Sequence, residues 1–174
     1  MKLPKLIITD IDGVWTSGGM YYDQSGNEWK KFNTSDSAGV LFAKSMKIPV
    51  AIITGEDTDI VARRAKKLKI DYLYQGISNK TKIANTICDE LNIDLSETAF
   101  IGDDIGDIAL LQKVGFSGAP YNASEYVKSE VEYVTKKNGG QGAFREFVEE
   151  IINRSDEHSL SSIIDVLVNN SLNS

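Results

Sequence analysis

Three apolar runs in this chain stop abruptly at polar residues and glycine, and that repeated boundary limits the possible folds more than any other feature. Leu6-Ile7-Ile8-Thr9 runs into Asp10-Ile11-Asp12-Gly13, Pro49-Val50-Ala51-Ile52-Ile53 into Thr54-Gly55, and Thr98-Ala99-Phe100-Ile101 into Gly102-Asp103-Asp104. Short apolar runs without alternation read as strands covered on both faces, which is the pattern of a parallel sheet. Helix-spaced segments lie between them, so the sequence predicts an α/β fold with a mostly parallel sheet flanked by helices. Ligands of such sheets bind beyond the carboxyl ends of the strands, where these acids would gather.

The remaining segments fill in that frame. Met20-Tyr21-Tyr22 and Glu28-Trp29-Lys30-Lys31-Phe32 flank Asp23-Gln24-Ser25-Gly26-Asn27, a β-hairpin pattern that predicts a flap beside the acidic edge. Helices are predicted over 37–46, from Glu56-Asp57-Thr58 onward with acids in the first turn, over 79–91 and over 104–113. Short strands are expected at Tyr72-Leu73-Tyr74, near 115–118 and at 133–135, with a short helix near 123–129. Phe144, Phe147, Val148, Ile151 and Ile152 fall at i, i+3, i+4, i+7 and i+8, the stripe of a helix packed on a core. Leu160, Ile163, Ile164, Leu167 and Val168 repeat that spacing after a polar break. The expected organisation is one domain over 1–152 and a helical C-terminal extension over 153–174 that docks or binds a partner.

Composition removes several classes of function. With 174 residues and 41% hydrophobic content the chain can bury a core without staples, and its apolar runs are too short to cross a bilayer. A net charge of −6 and a pI near 4.9 disfavour nucleic acid as a partner. The single cysteine, Cys88, permits no internal disulfide, and Met1-Lys2-Leu3-Pro4-Lys5 lacks the pattern of a secretory signal; a cytoplasmic location is expected. The only histidine, His158, lies in a polar segment, which leaves triad and histidine-zinc chemistry without its central residue.

At the strand ends stand Asp10, Asp12, Thr54, Asp103 and Asp104, with Lys80 at a predicted helix start and Asp107 one turn beyond Asp104. Crowded carboxylates repel one another unless a cation neutralises them. Oxygen ligands without histidine or thiolate point to Mg2+. A magnesium ion, a lysine and a hydroxyl around one carboxylate form a cradle for a phosphoryl group.

Asp10-Ile11-Asp12-Gly13-Val14, Thr54-Gly55, Lys80 and Gly102-Asp103-Asp104-Ile105-Gly106-Asp107 resemble, in order, the four motifs of the haloacid dehalogenase superfamily of phosphohydrolases. The resemblance covers residues 1–150 and implies a Rossmann-like fold and a magnesium-dependent phosphatase working through an aspartyl-phosphate. It implies Asp10 as nucleophile and metal ligand, and Asp12 as general acid and base with its backbone carbonyl on the metal. Thr54 and Lys80 would then hold the phosphoryl oxygens, Asp103 would ligate magnesium, and Asp104 and Asp107 would orient those groups.

The chain has no room for an inserted cap domain. Residues 10–19, the hairpin, Tyr74-Gln75-Gly76 and Gly139-Gly140-Gln141-Gly142-Ala143-Phe144-Arg145-Glu146 are similar to the capless branch acting on phosphorylated keto-deoxy sugar acids. Members of that branch are typically homotetramers whose neighbouring subunit partly covers each active site. Octulosonate phosphatases commonly carry Thr-Gly-Arg where this chain has Thr54-Gly55-Glu56, whereas nonulosonate phosphatases resemble it, with basic residues matching Arg64 and Lys67. Gly55, Glu56, Arg64 and Lys67 are therefore expected at the substrate, Arg64 and Lys67 sharing a helix face and reaching it between subunits. The preferred substrate on this reading is 2-keto-3-deoxynononate 9-phosphate or sialic acid 9-phosphate; the alternative is 3-deoxy-D-manno-octulosonate 8-phosphate. Ser17 and Gly106 depart from the usual pattern, which has aspartate and asparagine there.

Two readings from other classes compete. A receiver-like signalling domain also combines aspartates, threonine, lysine and magnesium, but its acceptor aspartate follows a later strand and its lysine comes near the end; here two acidic positions follow Lys80. A non-catalytic sugar-phosphate-binding relative would be expected to lack Asp10 or Asp12, and both are present.

Overall fold

The protein, a computed structural model, is described over residues 1–172, with side chains described through Asn169. Its strands are β1 (Leu6–Thr9), β2 (Tyr21–Tyr22), β3 (Glu28–Trp29), β4 (Val50–Ile53), β5 (Tyr72–Tyr74), β6 (Thr98–Ile101), β7 (Phe116–Ala119) and β8 (Tyr133–Val134). Its helices are α1 (Asp36–Ser45), α2 (Asp59–Leu68), α3 (Lys80–Leu91), α4 (Ile108–Leu111), α5 (Glu125–Lys128), α6 (Ala143–Arg154) and α7 (Leu160–Leu172). Six strands form one sheet in the order β5-β4-β1-β6-β7-β8, with every pairing parallel, while β2 and β3 pair antiparallel as a separate hairpin.

β1 lies between β4 and β6, so the chain builds outward on one side of β1, then crosses over and builds outward on the other. The carboxyl ends of β1, β4 and β6 therefore meet at a topological switch point, the place where such sheets hold ligands. Successive strand side chains point to opposite faces. Ile7, Val50, Ile52, Ala99 and Ile101 meet α1, α2, α6 and α7 on one face. Leu6, Ile8, Ala51, Ile53 and Phe100 meet α3, α4 and α5 on the other. Both faces are covered, which explains why the sequence shows unbroken apolar runs there rather than alternation.

The helices follow local signals with two exceptions. α3 begins where the Asn79 side chain accepts from the Lys82 amide, and it ends at Asn92 in the left-handed region. The expected helix after Thr54-Gly55 starts later than its sequence suggests: Thr58 precedes α2 in extended conformation, and Glu56 and Asp57 remain in the loop. Residues 54–58 instead run beside the segment after β5, with Ile77 donating to the Thr54 carbonyl, Gly76 to the Glu56 carbonyl and the Thr58 amide to Gln75 Oε1. Those bonds to a segment distant in sequence take the place of one more helical turn. The segment predicted as a helix over 104–113 is a 3-10 turn at Ile105–Asp107 followed by the single turn of α4.

α7 packs Ile163, with Leu160 and Leu167 beside it, against the cluster under α1 and α6, while Ile164 and Val166 face outward. The N-terminal ammonium adds a bond to the Arg154 carbonyl. Among the described residues no helix is long and apolar enough to cross a membrane.

α6 starts at Gly142 with φ +95°, and no side chain of its own caps it. Asp36, at the start of α1 and fully buried, supplies the missing acceptor by taking the Arg145 amide on Oδ1. Its Oδ2 is buried without a partner, and burial pushes its pKa up to about 6. A carboxyl raised above its unfolded value binds its proton more tightly in the native state, so stability falls as pH rises from about 4 through 6. We expect Asp36→Asn, which keeps the acceptor, to flatten that fall, with a melting temperature at pH 7 equal to or above the parent's. A drop of more than about 5 °C in thermal unfolding would mean that the charged carboxylate is net stabilising.

Candidate active site

Two loops carry the acids, and glycine lets them touch. The chain leaving β1 stays tied to β6, because the Asp10 amide donates to the Ile101 carbonyl at 3.1 Å. Gly13 then turns at φ +85°, and a Cβ built there would lie 1.8 Å from Asp103 Oδ2. A Cβ on Gly102 would lie 2.4 Å from Asp107 Cγ. Both glycines are thus required by the packing of the acid-bearing loops, and Gly13 by its conformation as well. The loop before α6 closes the far side: the Gly140 amide donates to the Val14 carbonyl, and a Cβ on Gly139 would lie 1.7 Å from the Gly13 carbonyl oxygen. Beneath, the Trp15 indole donates to Thr9 Oγ1 at 2.9 Å and stacks on Phe144.

Asp10, Asp12, Gly13, Thr54, Gly55, Glu56, Ser78, Lys80, Asp103, Asp104 and Asp107 line one open cleft of about 460 Å³. A hollow of about 400 Å³ at the opposite, amino-terminal edge of the sheet offers little beyond a surface pair, Lys5 with Glu97. The chemistry lies at the switch point.

Lys80 is buried and bridges the two loops, with Nζ 2.9 Å from Asp10 Oδ2 and 2.6 Å from Asp107 Oδ1. Asp107 Oδ2 accepts the amides of Asp103 and Asp104 at 2.9 and 3.1 Å. Both oxygens of Asp107 are thus committed to positioning. Asp104 is exposed and accepts from its neighbour Ile105 and from the Tyr126 hydroxyl, so it braces the rim rather than Lys80.

Three atoms in the cleft are buried without any hydrogen-bond partner: Asp10 Oδ1, Asp103 Oδ1 and Thr54 Oγ1. Buried polar atoms are almost always satisfied, so these mark where something else binds. Oxygens of Asp10, Asp103 and Asp107 lie within 4.8 Å of one another, close enough to hold a metal ion. Since Asp107 is already engaged on both oxygens, Asp10 and Asp103 are the carboxylates free to ligate. The oxygen-only donor set fits a hard divalent cation.

The electrostatics agree. Burial pushes Asp10 up to about 6 even against the pull of Lys80, with Asp107 adding repulsion. Burial, then Asp10, Asp107 and Asp104, push Asp103 up to about 8. Burial alone would lower the Lys80 ammonium, but Asp10 and Asp107 outweigh it and hold its pKa above the usual lysine value. A divalent cation reverses the direction for the carboxylates that bind it.

Asp12 lies at the mouth, where Oδ1 accepts from Thr16 Oγ1 at 3.3 Å and Oδ2 from Lys30 Nζ at 2.6 Å. Lys30 was not among the residues anticipated at the site. Its signal was the hairpin alternation, in which Trp29 and Lys31 are exposed and Lys30 turns inward; two adjacent lysines conceal which one does so. Arg64 and Lys67 do not line this cleft. Arg64 donates to the Asn33 carbonyl and Ser37 Oγ and lies over the Phe32 ring, and Lys67 is exposed. Glu56, freed from α2, lies in the cleft wall instead.

Comparison with known proteins agrees with this geometry. Residues 56–147 match the haloacid dehalogenase-like hydrolase family. The 3-deoxy-D-manno-octulosonate 8-phosphate phosphatase KdsC of Escherichia coli K12 is 39% identical over 142 residues, 82% of this chain and 76% of that protein. The structure of a probable YrbI-family phosphatase from Pseudomonas syringae superposes with a TM-score of 0.91 at 36% identity, over 96% of this chain and 94% of that one. That of the octulosonate 8-phosphate phosphatase from Moraxella catarrhalis, in complex with magnesium, phosphate and KDO, gives 0.89 at 34% identity, over 94% and 93%. The six-stranded parallel sheet, the acid cluster at its switch point and these relatives together show that the chain belongs to the haloacid dehalogenase-like hydrolases, as a phosphatase without a cap domain.

Proposed function

We propose that this chain is a magnesium-dependent phosphatase of a phosphorylated keto-deoxy sugar acid, with 3-deoxy-D-manno-octulosonate 8-phosphate as its substrate. The observation that carries this reading is the convergence of relatives of that name, matching most of the chain, on a cleft whose free atoms suit a phosphoryl group. It replaces the nonulosonate preference drawn from Glu56, which becomes the second reading. That second reading, 2-keto-3-deoxynononate 9-phosphate, keeps one support: Glu56 lines the cleft at a position where octulosonate enzymes are expected to carry arginine.

In the reaction, the Asp10 carboxylate attacks phosphorus while the bond to the sugar oxygen breaks. Asp12 gives the departing oxygen its proton, then takes one from the water that attacks the aspartyl-phosphate; phosphate leaves and the Asp10 carboxylate is restored. Thr54 Oγ1 and the remaining N–H of Lys80 donate to the phosphoryl oxygens, whose charge grows in the transition state. Asp10 and Asp103, with the Asp12 carbonyl, would hold the magnesium ion, which when bound supplies positive charge beside the nucleophile and the phosphoryl group. The active form is read as a homotetramer, and the exposed Tyr21, Tyr22 and Trp29 on the flap support an interface there. Arg64 and Lys67, absent from their own cleft, would reach substrate only from a neighbouring copy.

Turnover decides the substrate. We expect kcat/KM for the octulosonate 8-phosphate to exceed that for the nonulosonate 9-phosphate by about tenfold or more, in keeping with selection by polar contacts. The reverse order would overturn the first reading in favour of the second. Asp10→Asn should lower kcat by at least about a thousandfold with unchanged circular dichroism, and a variant within tenfold of the parent would remove the nucleophile assignment. Chelation should abolish activity. Because Asp103 and Asp10 hold protons up to about 8 and about 6 without metal, magnesium must displace them. Calorimetric titration should show metal affinity weakening about tenfold per pH unit between about 8 and 6, and more steeply below about 6; affinity flat between about pH 6 and 8 would contradict the ligand set.

A further inference from the structure

Lys30 has an environment that neither the flap nor the cleft explains by itself. It follows β3, and its side chain is 0% exposed. Burying an ammonium costs several kcal/mol unless it is paired, and a two-stranded hairpin adds little stability to offset that. Its close partner is Asp12 Oδ2 at 2.6 Å, while Glu28 Oε1, on the same flap, stands at 3.8 Å and accepts no hydrogen bond. Lys30 does not line the cleft, so its reach to the reaction runs through Asp12. The other oxygen of Asp12 has only the longer contact with Thr16, 3.3 Å. The Lys30 ammonium is the strongest restraint on that carboxylate.

We infer that Lys30 is a positioning residue: from the flap it fixes the Asp12 carboxylate toward the leaving-group side of the cleft, so the seating of the flap and the placement of the acid/base group are one event. The inference rests on the reading of Asp12 as the group that protonates the leaving oxygen. The two buried lysines then divide the site. Lys80 secures the nucleophile Asp10 and the Asp107 brace, and Lys30 secures Asp12.

The test uses leaving groups that differ in their need for a proton. The 174-residue chain with magnesium is mixed rapidly with a sugar phosphate, whose alkoxide must be protonated, or with p-nitrophenyl phosphate, whose phenolate need not be. The burst of released alcohol or p-nitrophenolate reports the first step alone. Lys30→Met should slow the burst from the sugar phosphate by about 10- to 100-fold, with KM changed less than about threefold and the p-nitrophenyl burst within about threefold of the parent. Lys30→Gln, which retains a donor to Asp12, should show the same split with a smaller loss, and it serves if the Met variant fails to fold. Equal losses on both substrates would mean a structural role, and an unchanged or faster sugar-phosphate burst would mean that Lys30 does not position Asp12. Either result overturns the inference. Asp12→Asn separates the two levels: if it leaves the sugar-phosphate burst intact, the role of Asp12 itself is wrong, whereas a large split in Asp12→Asn with none in Lys30→Met sinks only the role of Lys30.

Discussion

Repulsion among the carboxylates of Asp10, Asp103 and Asp107 is the constraint on which the rest of the structure depends. At separations within 4.8 Å, each pair of like charges costs about 3–4 kcal/mol at an effective dielectric of about 20. Lys80 supplies one positive charge to two of the three acids. Two negative charges stay unmatched, the charge of one divalent cation, and Asp10 Oδ1 and Asp103 Oδ1 are the atoms left open to it. Without that cation, burial first and repulsion from neighbouring carboxylates second hold Asp103 and Asp10 protonated above the usual carboxylate range.

The fold makes this crowding possible through backbone contacts rather than side-chain reach. Placing β1 between β4 and β6 brings three strand ends together, and Gly13 and Gly102 remove the Cβ atoms that would hold the loops apart. Asp107 then fastens the Asp103 loop by accepting two of its amides while holding Lys80 with its other oxygen. One carboxylate spent on structure thereby keeps two others free for ligand. A similar economy appears at α6, where Asp36 is buried to cap a helix that has only glycine at its own start.

Asp12 belongs to a different electrostatic unit. It lies at the mouth of the cleft with 24% of its side chain exposed, and its partner comes from the flap rather than from the sheet. Asp10 follows the central strand of the sheet, while Asp12 is paired with a residue that follows a hairpin of two-residue strands.

The sequence by itself determined the α/β class, the order of the elements and the identity of the central acids, because each is written locally: apolar runs buried on both faces, each broken by acid or glycine at its carboxyl end. Asp10, Thr54, Lys80 and Asp103 could be named because their places at strand ends and a helix start follow from chain order alone. Tertiary structure decided the rest. Glu56 entered the cleft because residues 54–58 bond to the segment after β5 instead of extending α2, a competition between distant amides that helix signals do not encode. Arg64 was drawn to Asn33 and Ser37, away from its own cleft. Lys30 rather than Lys31 meets Asp12 because Lys30 is the one turned inward from the flap, a difference that two adjacent lysines in the sequence do not reveal.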